Sequence, residues 1–196
     1  MEEDEKNDRD QTLNLACLFS PNWLTDEVID HYMKLLNSVD TEVFMFTTYF
    51  YNMFSTGGFE AVQNYYRRYN LFTYKTIFIP VHHGHHWFLI TYNGEKLESY
   101  DPFNYPGKPT KERKKMLEDN YQLHLQILTD LKNKYWKQLF KKHNKPFNEP
   151  LIIVHLPPSI PSQDNGYDCG AFLLSFAKYM VFQKSFNFGT GDMLQI

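Results

Sequence analysis

The most regular apolar pattern in the chain lies near its C-terminal end. Phe172, Leu173, Phe176 and Met180 recur at spacings of three and four, which predicts a buried helix over Phe172–Phe182. Upstream, Thr76–Val81 and Trp87–Tyr92 are apolar, aromatic and β-branched, as buried strands are. Asn93-Gly94 is a strong hairpin signal, so Lys96–Tyr100 is expected to return beside the preceding strand. Near the N-terminus Thr25 can cap a helix running to about Ser38, with Val28, Ile29, Tyr32, Met33, Leu35 and Leu36 on its apolar face. Two shorter helices are expected around Thr47–Phe54 and Gly58–Arg68, a charged helical region over Lys111–Lys142, and another buried strand over Leu151–Leu156. Pro157, Pro158 and Pro161 then impose an extended path into the loop at Gln163. Helices around a mixed, mainly antiparallel sheet give an α+β fold, with the C-terminal helix packed on the sheet.

The start of that helix carries chemistry. Gln163-Asp164-Asn165-Gly166-Tyr167-Asp168-Cys169-Gly170 is a polar loop turning into an apolar helix, with Cys169 at the junction. A thiol there meets unpaired backbone N–H groups and the positive end of the helix dipole, which favour thiolate. A lone cysteine is more often a buried structural residue, so its companions decide the reading. His86 opens one predicted strand and Asp101 follows its hairpin partner, so a carboxylate can hold one ring nitrogen of the imidazole. Nucleophile, base and orienter are then present. Gln163, on the loop before Cys169, can donate its side-chain amide to an oxyanion together with the Cys169 backbone N–H.

Carried by His86-Trp87, the downstream Asp101 and the Gln163–Gly170 segment, the chain resembles the SUMO-specific cysteine proteases of the Ulp/sentrin-specific family. The resemblance runs from about Leu15 to Phe188. It includes Asn22-Trp23-Leu24-Thr25-Asp26-Glu27, Val43-Phe44 and Gly58-Phe59-Glu60-Ala61-Val62. It implies a papain-like architecture of the Ulp type, with Cys169 as nucleophile, His86 as general base, Asp101 as its partner and Gln163 as oxyanion donor. It further implies that Trp23 and Trp87 close over the modifier's C-terminal Gly-Gly, and that Asp26 helps dock the modifier's globular body. SUMO or a SUMO-like modifier and its conjugates are the expected partners, and no cofactor is implied. A modifier-binding module of weak activity, or a protease for another ubiquitin-like modifier, are the alternatives. Compared with the family, His85 stands at a tunnel-wall position that is often small or apolar. The Asp101–Cys169 interval is long, as an insertion in the Lys-rich region would make it, and the domain is expected to lack its usual final helix.

Bulk properties narrow this only a little. The 196 residues suit one domain, taken as 12–196 behind a flexible acidic tail over 1–11. A net charge of −3 gives no reason to expect nucleic acid, and a monomer is expected. Two cysteines, Cys17 and Cys169, argue against a disulfide framework and suit a reducing compartment, so Cys17 reads as a buried hydrophobe. Met1–Gln11 is acidic rather than signal-like and no apolar run approaches a membrane span, which points to the nucleus or cytoplasm. Lys108, Lys111, Arg113, Lys114 and Lys115, with a second basic run from Lys132 to Lys145, read as a solvated helix face; a nuclear-import signal or an anionic partner is the alternative. His82-His83-Gly84-His85-His86, read as a strand, splits its imidazoles between two faces and leaves too few ligands for a zinc site, so no metal is expected.

Overall fold

In the computed structural model, residues 15–18, 22–64, 67–105 and 107–195 are described, residues 194 and 195 by backbone alone. The acidic tail expected over 1–11 lies outside the described residues. Five strands, β1 Val43–Met45, β2 Thr76–His83, β3 His86–Tyr92, β4 Lys96–Tyr100 and β5 Leu151–His155, form one sheet in the order β1-β2-β3-β4-β5. The β2-β3 and β3-β4 pairings at its centre are antiparallel, and β1 and β5 add in parallel at the two edges. Alternation along the strands divides the core into two layers. Phe78, Trp87, Leu89 and Tyr100 face α1 (Asp26–Val39) and α5 (Cys169–Val181). Ile77, Ile79, Val81, Phe88, Ile90 and Leu97 face α2 (Tyr49–Val62) and the long helix of α3 (Thr110–Asp130).

Thr25 caps α1 by accepting a 3.4 Å hydrogen bond from the Val28 N–H. Val28, Ile29, Met33 and Leu36 are buried as the pattern predicts, whereas Leu35 points to solvent. The two short helices expected after it are one element broken at Gly58, whose φ of 64° and ψ of −158° are open only to glycine. That element ends at Val62 rather than at Arg68. α3 continues through a π turn, Leu131–Trp136, into α4 (Lys137–Lys142). Its basic residues lie mostly in solvent while Ile127, Leu128, Leu131, Tyr135 and Trp136 are buried. β5 departs from expectation: it is an edge strand, with Leu151 61% exposed, because β4 covers only one of its sides. β1 was not anticipated.

The histidine cluster is not a strand either. His83 pairs with His86, and between them Gly84 (φ 56°) and His85 (φ 64°) form the tight turn joining β2 to β3. Two left-handed residues in succession match the twist of the hairpin, so the alternation expected for His82–His86 as one strand does not apply. α5 is buried on every residue from Cys169 to Ala177, as a helix must be when it runs between the sheet, α1 and the Phe186–Met193 segment. Cys17 is half-buried against the same layer. Among the described residues no helix is long and apolar enough to cross a membrane.

Candidate active site

Cys169 enters its site because the loop before it is tied down by one side chain. The Asn165 carboxamide oxygen accepts from the Tyr167 and Asp168 backbone N–H groups at 3.1 and 3.0 Å, and its amide donates to Asp168 Oδ2 at 2.7 Å. This turn delivers Cys169 as the first residue of α5, buried, at the helix N-terminus. Gly170 follows because Leu24 packs against the backbone there; a Cβ would meet the Leu24 Cβ at 3.0 Å.

His86 lies at the first position of β3, and the β3-β4 register ends at Leu89↔Tyr100 with Asp101 next in the chain. Both therefore project from the same end of the sheet. His86 Nε2 donates to Asp101 Oδ1 at 2.6 Å. That leaves Nδ1, the ring nitrogen Asp101 does not engage, for the Cys169 side chain, which lies near enough to raise the imidazole further. Burial, the largest single influence, would push His86 down, but the Asp101 charge and hydrogen bond and the neighbouring Cys169 together outweigh it, and the imidazole is pushed up to about 10. A cationic His86 next to Cys169 is the partner that a thiolate needs.

Asp101 is 0% exposed, and desolvation would raise it. His86 and hydrogen bonds to the charged form prevail and hold the carboxyl well below the usual range. Four donors surround it. His86 Nε2 and the Phe103 backbone N–H (2.9 Å) reach Oδ1, while Asn120 Nδ2 (2.7 Å) and His124 Nε2 (3.0 Å) reach Oδ2. Asn120 and His124 were missed by sequence reasoning. A signal was present: they lie at i and i+4 on the stripe of α3 that continues as Leu128, Leu131 and Tyr135, so two polar residues occupy core positions.

Gln163 is buried beside this group, its backbone N–H bonded to the Pro102 carbonyl at 2.9 Å and the residue bridged to Phe103. One proton of its amide is engaged by the Asn165 carbonyl at 2.8 Å. That bond orients the amide and leaves its second N–H uncommitted.

The two tryptophans differ in setting. Trp23 is 48% exposed and donates Nε1–H to the Gly166 carbonyl at 2.8 Å, so it reaches across the loop that carries Cys169. His85 stands against it at 5.8 Å between ring centroids. Trp87 is only 5% exposed, donates Nε1–H to the Leu24 carbonyl at 3.2 Å and stacks on His82 at 4.4 Å. Asp26 is exposed at the first turn of α1, its charge acting on His82.

Residues 22–195 match the model of the Ulp1 protease family, C-terminal catalytic domain. The chain is 30% identical over 189 residues to sentrin-specific protease 2 of Homo sapiens, covering 92% of this chain and 29% of the relative. It is 27% identical over 185 residues to sentrin-specific protease 5 of Mus musculus, covering 93% of this chain and 22% of the relative. The chain thus spans less than a third of the length of these curated relatives. Among solved structures, the C-terminal Ulp1 protease domain in complex with Smt3, the yeast ortholog of SUMO, superposes with a TM-score of 0.73 at 24% identity, over 90% of this chain and 74% of that one.

Proposed function

The chain belongs to the Ulp1 protease family, and on that premise we propose that it is a thiol protease that cleaves after the C-terminal Gly-Gly of SUMO or a SUMO-like modifier. It frees the modifier from lysine side chains, trims its precursor, or does both, within the nucleus or cytoplasm. The observation that carries this reading is a thiol at a buried helix N-terminus in contact with an imidazole 2.6 Å from a buried carboxylate. The assembled set favours an enzyme over a binding module. The modifier assignment rests on relatives named for sentrin and on a neighbour bound to Smt3.

In this mechanism the Cys169 thiolate attacks the carbonyl carbon of the terminal glycine. The carbonyl π pair moves to oxygen, which the Gln163 amide and the Cys169 backbone N–H stabilise. Collapse breaks the C–N bond, and His86 gives its proton to the departing lysine amine. The thioester that remains is hydrolysed by a water that surrenders a proton to His86, restoring thiolate and imidazolium. Asp101 stays ionised throughout and fixes the ring. Trp23, half-exposed over the Gly166 carbonyl with His85 against it, and Trp87 close over the Gly-Gly strand in a slot that side chains do not fit. Asp26, exposed beside this mouth, is available to the modifier's body.

The test is covalent capture. SUMO carrying a C-terminal electrophile should label the wild type and Cys17→Ser but not Cys169→Ser, and ubiquitin with the same group should label far more slowly. Labelling at Cys17 would remove the mechanism, and faster labelling by ubiquitin would remove the modifier assignment.

A further inference from the structure

We propose that His124, with Asn120, is a positioning residue for this reaction: from α3 the two fill the second oxygen of Asp101 and so keep its first oxygen on the His86 ring. The inference rests on the reading of Cys169 as nucleophile and His86 as base. A carboxylate has about four acceptor directions, and at Asp101 all four are occupied. With only His86 and the Phe103 N–H in place, the group could rotate about its Cβ–Cγ bond and present either oxygen. Asn120 and His124, one helical turn apart, close that freedom.

The chemistry of the two donors matters as much as their number. Asn120 is neutral. His124 is 1% exposed, uses only Nε2, and its Nδ1 is buried with no partner among the described residues. A protonated ring would bury a second N–H against nothing, so the geometry assigns the neutral Nε2–H tautomer. Phe88, with its centroid 4.2 Å from that of His124, fixes the plane of the ring. Both donors orient Asp101 through Oδ2, which leaves Oδ1 and most of the charge to the His86 ring. A lysine or arginine in the same place would divide that charge. A purely space-filling role has no use for an imidazole here, since an aliphatic side chain fills the volume without stranding Nδ1.

The experiment uses the full chain and a SUMO substrate with a fluorogenic C-terminal amide, with kcat and KM measured separately. His124→Met keeps size and burial but loses the donor; His124→Gln places an amide N–H near the position of Nε2. The Met variant should lose roughly ten- to a hundredfold in kcat with KM within about twofold, as when a partner that orients a reacting group is removed. The Gln variant should recover most of that loss. A folded Met variant within about threefold of wild-type kcat, or a folded Gln variant no better than Met, would overturn the proposal. Nitrogen-15 spectra of the wild type settle it independently of variant folding. They should show a proton on His124 Nε2 and a bare Nδ1 at neutral pH, and an Nδ1–H tautomer or a charged ring would overturn it. An inactive wild type would count against the function instead, while the tautomer would still decide His124.

Discussion

Replacing Asp101 by Asn removes one charge from the centre of the site and almost no volume. His86 is pushed up to about 10 from an ordinary 6.5, a rise worth roughly 5 kcal/mol of preference for the imidazolium at about 1.4 kcal/mol per unit. Burial acts in the opposite direction and is opposed chiefly by the Asp101 charge and its hydrogen bond. Without that charge the largest upward influence is lost, and His86 in the variant falls well below 10. The amide also offers one acceptor oxygen where four donors converge. Whichever way it turns, N–H meets N–H on one side, and a destabilisation of about 3–5 kcal/mol is expected from breaking a buried pair. Assayed at low temperature, where the variant remains folded by circular dichroism, kcat should fall by about three to four decades. The alkaline limb of the pH–rate profile should move from near 10 to well below it. A folded variant within tenfold of wild type, with its alkaline limb unmoved, would refute the reasoning and leave Asp101 a structural anchor.

Three further outcomes follow from the same structure. His86 is raised above its unfolded value, so its contribution to stability is full below about 6.5 and is lost as pH climbs toward 10. Asp101 is depressed, so its contribution is full above about 3.8 and is lost in acid; urea unfolding across pH should find the gap between wild type and Asp101→Asn widest between those limits. Trp23→Phe deletes the N–H that binds the Gly166 carbonyl from a half-exposed ring, so stability should change by less than about 1 kcal/mol while KM for a SUMO substrate rises several-fold. Gly58→Ala meets no neighbouring atom but forces alanine into a glycine-only conformation, and should lower stability by roughly 1–3 kcal/mol, about 3–10 °C in Tm by calorimetry, with kcat unchanged.

The parts of the fold legible in the sequence are those where a local signal agrees with the tertiary context. Thr25 before an amphipathic run, Asn93-Gly94 between two β-rich runs, and a polar loop ahead of Phe172–Phe182 each placed an element to within a few residues. What was missed lacked such a signal or carried a misleading one. Val43–Met45 is too short for any period to show. The apolar run Leu151–His155 does not reveal whether a strand has one neighbour or two, and here it has one. Across His82–His86 the imidazoles suggested a continuous strand, although Gly84 was the better guide because it allows the left-handed turn. His86 and Asp101 meet at one end of the sheet, Cys169 opens α5 and Gln163 is held beside Pro102 and Phe103, each placed by local chain geometry that the sequence pattern reflects. Asn120 and His124 were obscured by the lysines around them: in a charged helix a polar residue at a core position does not stand out until the helix is docked.

That docking explains how a carboxylate can be fully buried in this protein at all. An isolated charge in the interior is expensive, and a single histidine partner leaves three of its four acceptor directions empty. The hairpin supplies one donor, the chain immediately after β4 supplies a backbone N–H, and neither can supply more, because the sheet ends there. The remaining two must come from another layer. α3 crosses the face that carries Phe88 and Leu97, anchored by Leu128 and, through its π turn, by Leu131, Tyr135 and Trp136. Cys169 approaches from α5 on the opposite face. The reacting group is thus assembled across the end of the sheet from both layers, and the orientation of His86 toward Cys169 depends on the packing of a helix that touches neither of them in the chain. Loosening α3 at its apolar anchors should therefore lower kcat before it unfolds the sheet, because the donors to Asp101 Oδ2 are lost when the helix shifts, while the strand pairings that hold His86 are not.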